Sequence, residues 1–539
     1  MSRKTEKFIF MIILILQTAV ICCRVFQKQN YYIDELLSME YAKSFAYVDR
    51  PLQSTGMRDP VYFEYEKWID NDVLKDTLIV YSEDGLLNLN IPAAAFKLIT
   101  APYNYFGLLN IVMSVFSPEE LSHYPAAALN IIFFIFVQII LYRVLREITG
   151  GGIVSLLGVL MYGFSGMAVG LSVFVRFYAY AGFLFFLTIR LHQIMWRKET
   201  GLLKCEILTL ISFACIIIAM RNSQLILILA GAMIFAYAAG QMFRGQYAKT
   251  VCYLGTCVPA GLFYVIRQTN LLDISLHPSR YTDAGGVEGR LTTRLLTIDS
   301  SRFASFYKQH AGYLSDYLFG SFYVLCGFLF LLAVLTVLRL RTQKQDPEKS
   351  AAGEEFRFVI LTVDCVFILF SFLTGLAESR YVSFLYPLHT VLLWTVLARL
   401  LRNRSYRKAV LLLSTGLTCA GIFISAVLHP EKIQYLYITE KPVIEAVRES
   451  GITNVILYDS AIQAHYECVS LMPQTAEIFS VIDEDPHFDT SEFPDTLLLW
   501  SRRSRNNNAM IRKLKKDGYE VTKIGATHVS NIYTVRHQP

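Results

Sequence analysis

Two adjacent carboxylates follow the first apolar segment of the sequence. Residues 8–26 are almost entirely apolar, and the next stretch, YYIDELLSMEYAKSF, carries Asp34 and Glu35 at the start of a helical pattern. A carboxylate can act as a general base toward a hydroxyl, which is typically worth about 10²- to 10⁴-fold in rate. Asp is also a preferred helix N-cap, so a purely structural role for Asp34 stays open. Because neighbouring helical side chains point about 100° apart, only one of the two acids would face a given substrate.

Arginine and tyrosine side chains form the second set of candidates. They are Arg176 and Tyr178 in VFVRFYAY, Arg380 and Tyr381 in AESRYVSFLYP, and Arg221 in AMRNSQ. Each group lies at the end of an apolar segment, and all of these ends are predicted to face the same side of a membrane. A guanidinium can bind two phosphate oxygens at once, so the arginines favour a phosphate site. Taken singly, each of these residues fits an interface anchor equally well.

Nucleotide and metal chemistry have weaker signals. The C-terminal part of the sequence has no glycine-rich phosphate loop, which argues against a nucleotide site there. The ten cysteines show neither a disulfide framework nor zinc spacing. Acids of the first loop could hold a divalent cation or form a solvated face: Glu64, Glu66, Asp70, Asp72, Glu83 and Asp84. We therefore assign no metal ligand and leave the cofactor open, with a divalent cation as the candidate.

The composition indicates a membrane protein. Of the 539 residues, 54% are hydrophobic and 17% are charged, whereas soluble domains are about a quarter charged. Apolar runs of about 20 residues recur, and each is long enough to cross a hydrocarbon core of about 30 Å. Backbone groups in lipid must be hydrogen-bonded internally, so we predict a polytopic α-helical protein. The net charge of +6 bears on orientation in the membrane rather than on nucleic acid binding.

Hydropathy predicts about eleven transmembrane helices. Their approximate limits are residues 8–26, 126–145, 152–170, 177–194, 205–220, 223–240, 250–266, 316–338, 358–376, 381–400 and 409–428. Basic connections such as YRVLRE and RLLRNRSYRK fall on one side, which is predicted to be cytoplasmic together with the N-terminus. The other side receives residues 27–125, 267–315 and 429–539. We predict a multi-pass protein of a bacterial plasma membrane, in which the N-terminal apolar run is retained as a span.

The second external loop is basic. It contains Arg290 and Arg294 among other basic residues. This pattern fits an anion site, and it fits equally well a long loop that is translocated regardless of its charge.

The C-terminal segment has a different pattern from the rest of the chain. NVILYDS, DTLLLWS and SNIYTVR predict strands, whereas PVIEAVRESG and NNNAMIRKLKKDG predict helices that end at glycine. Alternating helices and strands are typical of a small α/β domain. We therefore predict two domains. Residues 1–428 form a transmembrane catalytic domain that includes the external loops 27–125 and 267–315, and residues 429–539 form an extracytoplasmic α/β domain.

Taken together, these motifs resemble the GT-C superfamily of membrane glycosyltransferases, in the branch of the protein O-mannosyltransferases and aminoarabinose transferases. That branch has an Asp-Glu pair after the first span, an Arg-x-Tyr at the outer start of a later span, and a late Arg-Tyr followed by proline. The matching residues here are Asp34–Glu35, Arg176–Tyr178, and Arg380–Tyr381 with Pro387. The sequence departs from the family pattern at Phe174, where a Glu is common, and near Asn222, where a His is common.

The resemblance implies a hexosyl or pentosyl transferase that uses a polyprenyl-phosphate sugar. The acceptor would be a hydroxyl of a glycan, lipid or protein on the outer face of the membrane. Asp34 and Glu35 would be the catalytic residues, with Asp34 as the general base. The substrate would be bound by Arg176, Tyr178, Arg221, Arg380 and Tyr381, with arginines holding the leaving phosphate. Two other classes stay open: a membrane transporter or lipid flippase, and a polysaccharide polymerase or ligase.

Overall fold

The computed structural model describes most of the chain and is mainly helical. The described residues are 2–45, 65–100, 103–117, 119–222, 225–268, 300–342, 354–374, 378–401, 406–458, 462–482, 488–504 and 506–538. The chain divides into two compact units. The helical unit comprises Met1–Ile21, Ile131–Leu171 and Phe177–Ile433, and the sheet unit comprises Cys22–Asn130, Ser172–Arg176 and Gln434–Pro539.

Twenty α-helices and six strands lie in the described residues. In chain order, the helices are α1 Arg3–Gln27, α2 Ile33–Ser44, α3 Asn71–Asp76, α4 Ile91–Thr100, α5 Asn104–Phe116, α6 Tyr124–Thr149, α7 Gly152–Gly163, α8 Gly166–Val173, α9 Tyr178–Met195, α10 Leu202–Asn222, α11 Leu225–Phe243, α12 Tyr247–Gln268, α13 Ser300–Tyr313, α14 Phe322–Thr342, α15 Arg357–Thr374, α16 Leu385–Leu400, α17 Arg407–Phe423, α18 Lys441–Glu449, α19 Ile462–Leu471 and α20 Asn508–Lys516. The strands are β1 Trp68–Asp70, β2 Asn454–Tyr458, β3 Glu477–Val481, β4 Thr496–Arg502, β5 Tyr519–Ala526 and β6 Ser530–His537.

Long apolar helices agree with a membrane protein. Within the described residues, six helices are long and apolar enough to cross a membrane: α1, α6, α10, α11, α14 and α17. The pair α7 and α8, bent by 54° at a short break, is a seventh candidate. The remaining predicted spans are helices α9, α12, α15 and α16, which are not among these seven. Each predicted span therefore corresponds to helix, but the count of eleven membrane crossings is not confirmed.

The basic ends of helices in the helical unit are paired with acids. Arg190 and Arg197 hold the carboxylate of Glu147 at 2.6 and 2.5 Å. Arg146 donates from Nε to Glu6 at 2.7 Å, and Glu6 is only 4% exposed. A buried carboxylate is tolerated when it is paired and hydrogen-bonded, and Arg146 supplies this partner for Glu6.

The sheet unit is built on a six-stranded mixed sheet with the order β1-β3-β2-β4-β6-β5. β2 pairs in parallel with β3 and β4, whereas β1, β6 and β5 run antiparallel to their neighbours. Central strands that are covered on both faces favour continuous apolar runs. Ile456 of β2 and Leu499 of β4 are accordingly fully buried, and α20 adds Met510 and Leu514 to the same core.

Several elements of the C-terminal segment lie where the sequence predicts them. The predicted strands correspond to β2, β4 and β6, and the predicted helices to α18 and α20. Strands β3 and β5 were not predicted.

One strand of the sheet comes from residues 27–125, the loop that is predicted to be external. Trp68 of β1 lies opposite Phe479 of β3 in an antiparallel pair. The buried Asn71 then donates from Nδ2 to the carbonyls of Val469, Met472 and Pro473 at 3.2, 3.2 and 2.9 Å. Cys22–Asn130 therefore belong to the same compact unit as Gln434–Pro539, and the predicted domain boundary at residue 428 stays a prediction.

Candidate active site

Helix α2 begins immediately before the two acids. Its N-cap is Tyr32, which has an extended backbone, and Oε2 of Glu35 accepts the N–H of Tyr32 at 2.8 Å. A Glu at the third helical position commonly reaches back to the N-cap in this way. Asp34 is the second residue of the helix, so the interpretation of Asp34 as the N-cap is wrong. Glu35, at the third helical position, is the acid that bonds back to the N-cap residue.

Glu35 is completely buried, and both oxygens of its carboxylate accept hydrogen bonds. Oε2 also accepts from Nζ of Lys28 at 2.9 Å, and Oε1 accepts the N–H of Val175 at 2.8 Å. Burial raises the pKa of Glu35 and lowers the pKa of Lys28, and the attraction between the two opposes both shifts. Lys28 is further held by the carbonyl of Tyr435 at 2.6 Å. Glu35 therefore holds the backbone of Val175, the residue that precedes Arg176.

Arg176 faces the helix that carries Asp34. Its Nη2 lies 3.9 Å from Oδ1 of Asp34, and its Nη1 donates to Oγ of Ser38 at 3.0 Å. The Ser38 hydroxyl in turn donates to the backbone carbonyl of Asp34 at 2.6 Å. The guanidinium also lies 5.8 Å from the centre of the Phe106 ring. Both charged side chains keep some exposure, 17% for Arg176 and 20% for Asp34, so solvent or a substrate can reach them.

The short segment before Arg176 is held from two further directions. Asn130 donates from Nδ2 to the carbonyl of Phe174 at 2.6 Å, and the Tyr105 hydroxyl donates to Oδ1 of Asn130 at 3.1 Å. The ring of Phe174 stacks on Tyr435, with centroids 3.8 Å apart. The position where the resembling family often has a Glu is thus an aromatic contact in this chain.

Tyr435 and Tyr437 adopt an unusual backbone conformation. Their φ angles are +67° and +54°, in the left-handed region, which costs a non-glycine residue roughly 1–2 kcal/mol. Tyr435 is held by the Phe174 ring and by Lys28, and Tyr437 stacks on His528 at 4.2 Å. Strained residues of this kind persist where the surrounding contacts hold the backbone in place.

The structure brings together Asp34, Glu35 and Arg176 and places the other predicted residues in the helical unit. Tyr178 opens α9 and is buried. Arg221 lies in the last turn of α10. Arg380 pairs with the exposed Glu378 at 2.9 Å and lies 5.0 Å from the centre of the Tyr381 ring.

Three further residues of the site were not predicted from the sequence: Lys28, Ser38 and Phe106. A lysine, a serine and a phenylalanine beside apolar sequence form no motif that would indicate a functional role.

The acids of the first loop do not form a metal cluster within the described residues. Glu64 lies outside those residues, as do Arg290 and Arg294 of the second loop. Asp70, Asp72 and Glu66 are exposed, which fits a solvated face. Asp84 is buried, with Lys43 at 4.0 Å. The described part of the chain has one group of three metal-binding side chains within 4.8 Å of one another, namely Glu440, Glu467 and His528.

Comparison with known proteins finds structural similarity without sequence similarity. No protein-family model matches the chain, and no curated protein matches it in sequence. The chain is similar to the crystal structure of ArnT from Cupriavidus metallidurans bound to undecaprenyl phosphate, at 10% identity and a TM-score of 0.48, over 99% of this chain and 98% of that one. The apo state of the same protein gives 10% identity and a TM-score of 0.45, over 96% and 97% of the two chains.

A second similar protein is AglB from Archaeoglobus fulgidus. It is an archaeal oligosaccharyltransferase in complex with an inhibitory peptide and a dolichol-phosphate, and it gives 12% identity and a TM-score of 0.43, over 87% of this chain and 65% of that one. Both similarities extend over most of this chain.

Proposed function

We propose that this chain is a GT-C-type glycosyltransferase that moves a hexosyl or pentosyl group from a polyprenyl-phosphate donor to an acceptor hydroxyl. The reaction would take place at the outer face of a bacterial plasma membrane. The acceptor would be a glycan, a lipid or a protein. Sugar transfer of this kind is a displacement at the anomeric carbon with an oxocarbenium-like transition state.

The observation that carries the proposal is the pairing of Asp34 with Arg176. Displacement by a hydroxyl needs a base for the departing proton and positive charge for the departing phosphate. Asp34 supplies a partly exposed carboxylate, and Arg176 supplies a partly exposed guanidinium at 3.9 Å from it. This distance is at the outer limit of an ion pair, so a phosphate can compete with Asp34 for the guanidinium.

We assign Glu35 a positioning role in this reaction. Both of its oxygens already accept hydrogen bonds, from Lys28, Tyr32 and Val175. A base must reach the proton that it removes, and a fully buried carboxylate with these partners does not reach a substrate. Glu35 would act by holding Val175, and hence Arg176, opposite Asp34.

The remaining residues of the predicted set would bind the donor. Arg380 is a second candidate for the phosphate, because its partner Glu378 is 61% exposed and exposed ion pairs contribute only about 0–1 kcal/mol. Arg221, Tyr178 and Tyr381 would contact the donor at helix ends. A divalent cation stays a candidate cofactor for the reaction.

Sugar transfer from a panel of radiolabelled polyprenyl-phosphate sugars tests the proposal. Membranes that contain the chain should move label from one of these donors to a glycan, lipid or protein fraction, and control membranes without the chain should not. If no donor in the panel loses its sugar while the protein is present at a normal level, the proposal is contradicted.

One observation favours a transporter or lipid flippase as the second candidate. Asp364 lies within the apolar helix α15, is 4% exposed, and has Nδ1 of His389 at 3.4 Å. Ionisable groups inside membrane helices often mark transport or proton pathways. A flippase would change the sidedness of a labelled donor in vesicles without moving its sugar, so the same donors separate the two functions.

A further inference from the structure

We propose that Glu440, Glu467 and His528 form a binding site for one Zn²⁺ ion, which ties together three segments of the sheet unit. Glu440 precedes helix α18, Glu467 lies on helix α19, and His528 lies in the turn between strands β5 and β6. The site is separate from the Asp34–Arg176 pair, and the inference does not depend on the proposed transferase activity.

The spacing of the three side chains suits a tetrahedral ion. Nδ1 of His528 lies 3.0 Å from Oε1 of Glu440 and 3.7 Å from Oε1 of Glu467. Ligand atoms around a tetrahedral Zn²⁺ with bonds of about 2.0–2.1 Å are about 3.4 Å apart. The two distances lie on either side of this value, so small side-chain movements would bring the three atoms into one coordination shell.

The charge of the region favours a dication. Glu440 and Glu467 are 5% and 2% exposed, and the buried Glu35 lies in the same unit. The buried Lys28 pairs with Glu35 and also attracts Glu440. Buried carboxylates are costly unless they are paired or bind a metal, and one Zn²⁺ ion would pair with both Glu440 and Glu467.

Neighbouring groups already orient the proposed ligands. Asn30 donates from Nδ2 to Oε2 of Glu440 and to Oε1 of Glu467, at 2.8 Å each, and Trp500 donates to Oε2 of Glu467 at 3.3 Å. The His528 ring stacks on Tyr437 at 4.2 Å. Metal-binding carboxylates and histidines are typically held in this way by an outer set of hydrogen bonds. His528 is 23% exposed, which provides an entry path and an open position for water.

Metal analysis of the full-length protein in detergent tests the inference. The protein should be purified on a tag without histidines, since a His-tag would bind zinc itself. We expect one zinc per chain by elemental analysis, a melting temperature that falls by several degrees on chelation, and recovery with Zn²⁺ but not with Mg²⁺. Ligand binding to the folded state alone raises the melting temperature in this way.

Variants assign the zinc to this site. Glu467→Gln and His528→Gln should lose the zinc and the response to Zn²⁺, and Asn30→Ser should bind Zn²⁺ about 10- to 100-fold more weakly. The exposed residues Glu520 and His537 of the same sheet supply matched controls, Glu520→Gln and His537→Gln, which should keep both. The inference is overturned if the wild-type protein has no zinc and no melting response to Zn²⁺, or if the ligand variants keep both. Should a ligand variant fail to fold, the wild-type measurements decide by themselves.

Discussion

Asp34 and Glu35 are adjacent in the sequence but have different surroundings. Asp34 is partly exposed opposite Arg176, whereas Glu35 is buried among Lys28 and two backbone amides. The sequence could predict the pair and the helix that follows it. The sequence could not predict which of the two acids is buried. That depends on contacts of Glu35 with Lys28 and with Val175, and Val175 is distant from Glu35 in the sequence.

Replacing Glu35 tests its positioning role. Glu35→Gln leaves the buried Lys28 without its ionic partner, and breaking a buried ion pair typically costs about 3–5 kcal/mol. We expect a lower melting temperature together with slower transfer. In the double variant Lys28→Met, Glu35→Gln the unpaired charge is gone, so the melting temperature should recover. A Glu35→Gln protein that melts like the wild type but transfers no sugar would instead make Glu35 a catalytic residue.

Replacing Arg176 tests the phosphate site. Arg176→Lys keeps the positive charge but loses the planar fork that binds two phosphate oxygens. Since a hydrogen bond to a charged group contributes about 1.5–3 kcal/mol, we expect transfer to fall by roughly 10- to 100-fold at unchanged protein level. Arg512→Lys on the exposed face of α20 is the matched control. Equal turnover in the Arg176→Lys and wild-type proteins would show that Arg176 does not bind the phosphate and is only an interface anchor.

At the scale of elements, the main feature that could not be predicted from the sequence is strand β1 of the first loop. β1 has only three residues, and such a strand forms because β3 offers its open edge. The predicted strands β2, β4 and β6 were visible because they are apolar and bounded by turns. β5 carries a register shift at Lys523 and Gly525 and exposed polar positions, so its alternation is weak.

Asn71 tests how firmly the first loop is attached to the sheet. Its amide donates to three carbonyls at the end of α19 and beyond. Asn71→Ala would leave these buried acceptors without their donor, which costs about 1–3 kcal/mol. We expect a lower melting temperature and faster proteolysis near Asn71. The exposed neighbour Asp72 gives the control variant Asp72→Ala, and equal melting of the two variants would show that the attachment does not depend on Asn71.

At the scale of the whole molecule, the chain alternates between two compact units. The short segment Ser172–Arg176 belongs to the sheet unit, and the chain from Phe177 onward belongs to the helical unit. Hydropathy could predict the helices of the helical unit, because apolar length is a local property. It could not predict that residues 22–130 and 434–539 form one unit, because that depends on contacts between distant parts of the chain.

Membrane topology can be tested with reporter fusions. The basic connections predict that a reporter fused after residue 539 is active outside the membrane and that one near residue 345 is active inside. Fusions after residues 148 and 198 serve as further internal markers of the cytoplasmic side. A cytoplasmic reporter after residue 539 would place the sheet unit, and with it Asp34, on the wrong face for a lipid-linked sugar donor.

The central claim is that Asp34 removes the proton from the acceptor, and Asp34→Asn tests it most directly. The change is nearly isosteric, and Asp34 is not the N-cap of α2, so the helix should be unaffected. With the donor identified from the labelled panel and matched protein levels, we predict that Asp34→Asn lowers the transfer rate by about 10²-fold or more, since the amide cannot accept the proton. The melting temperature should stay that of the wild type. Retention of more than about half of the wild-type rate would contradict the account, because a general base contributes far more than a factor of two.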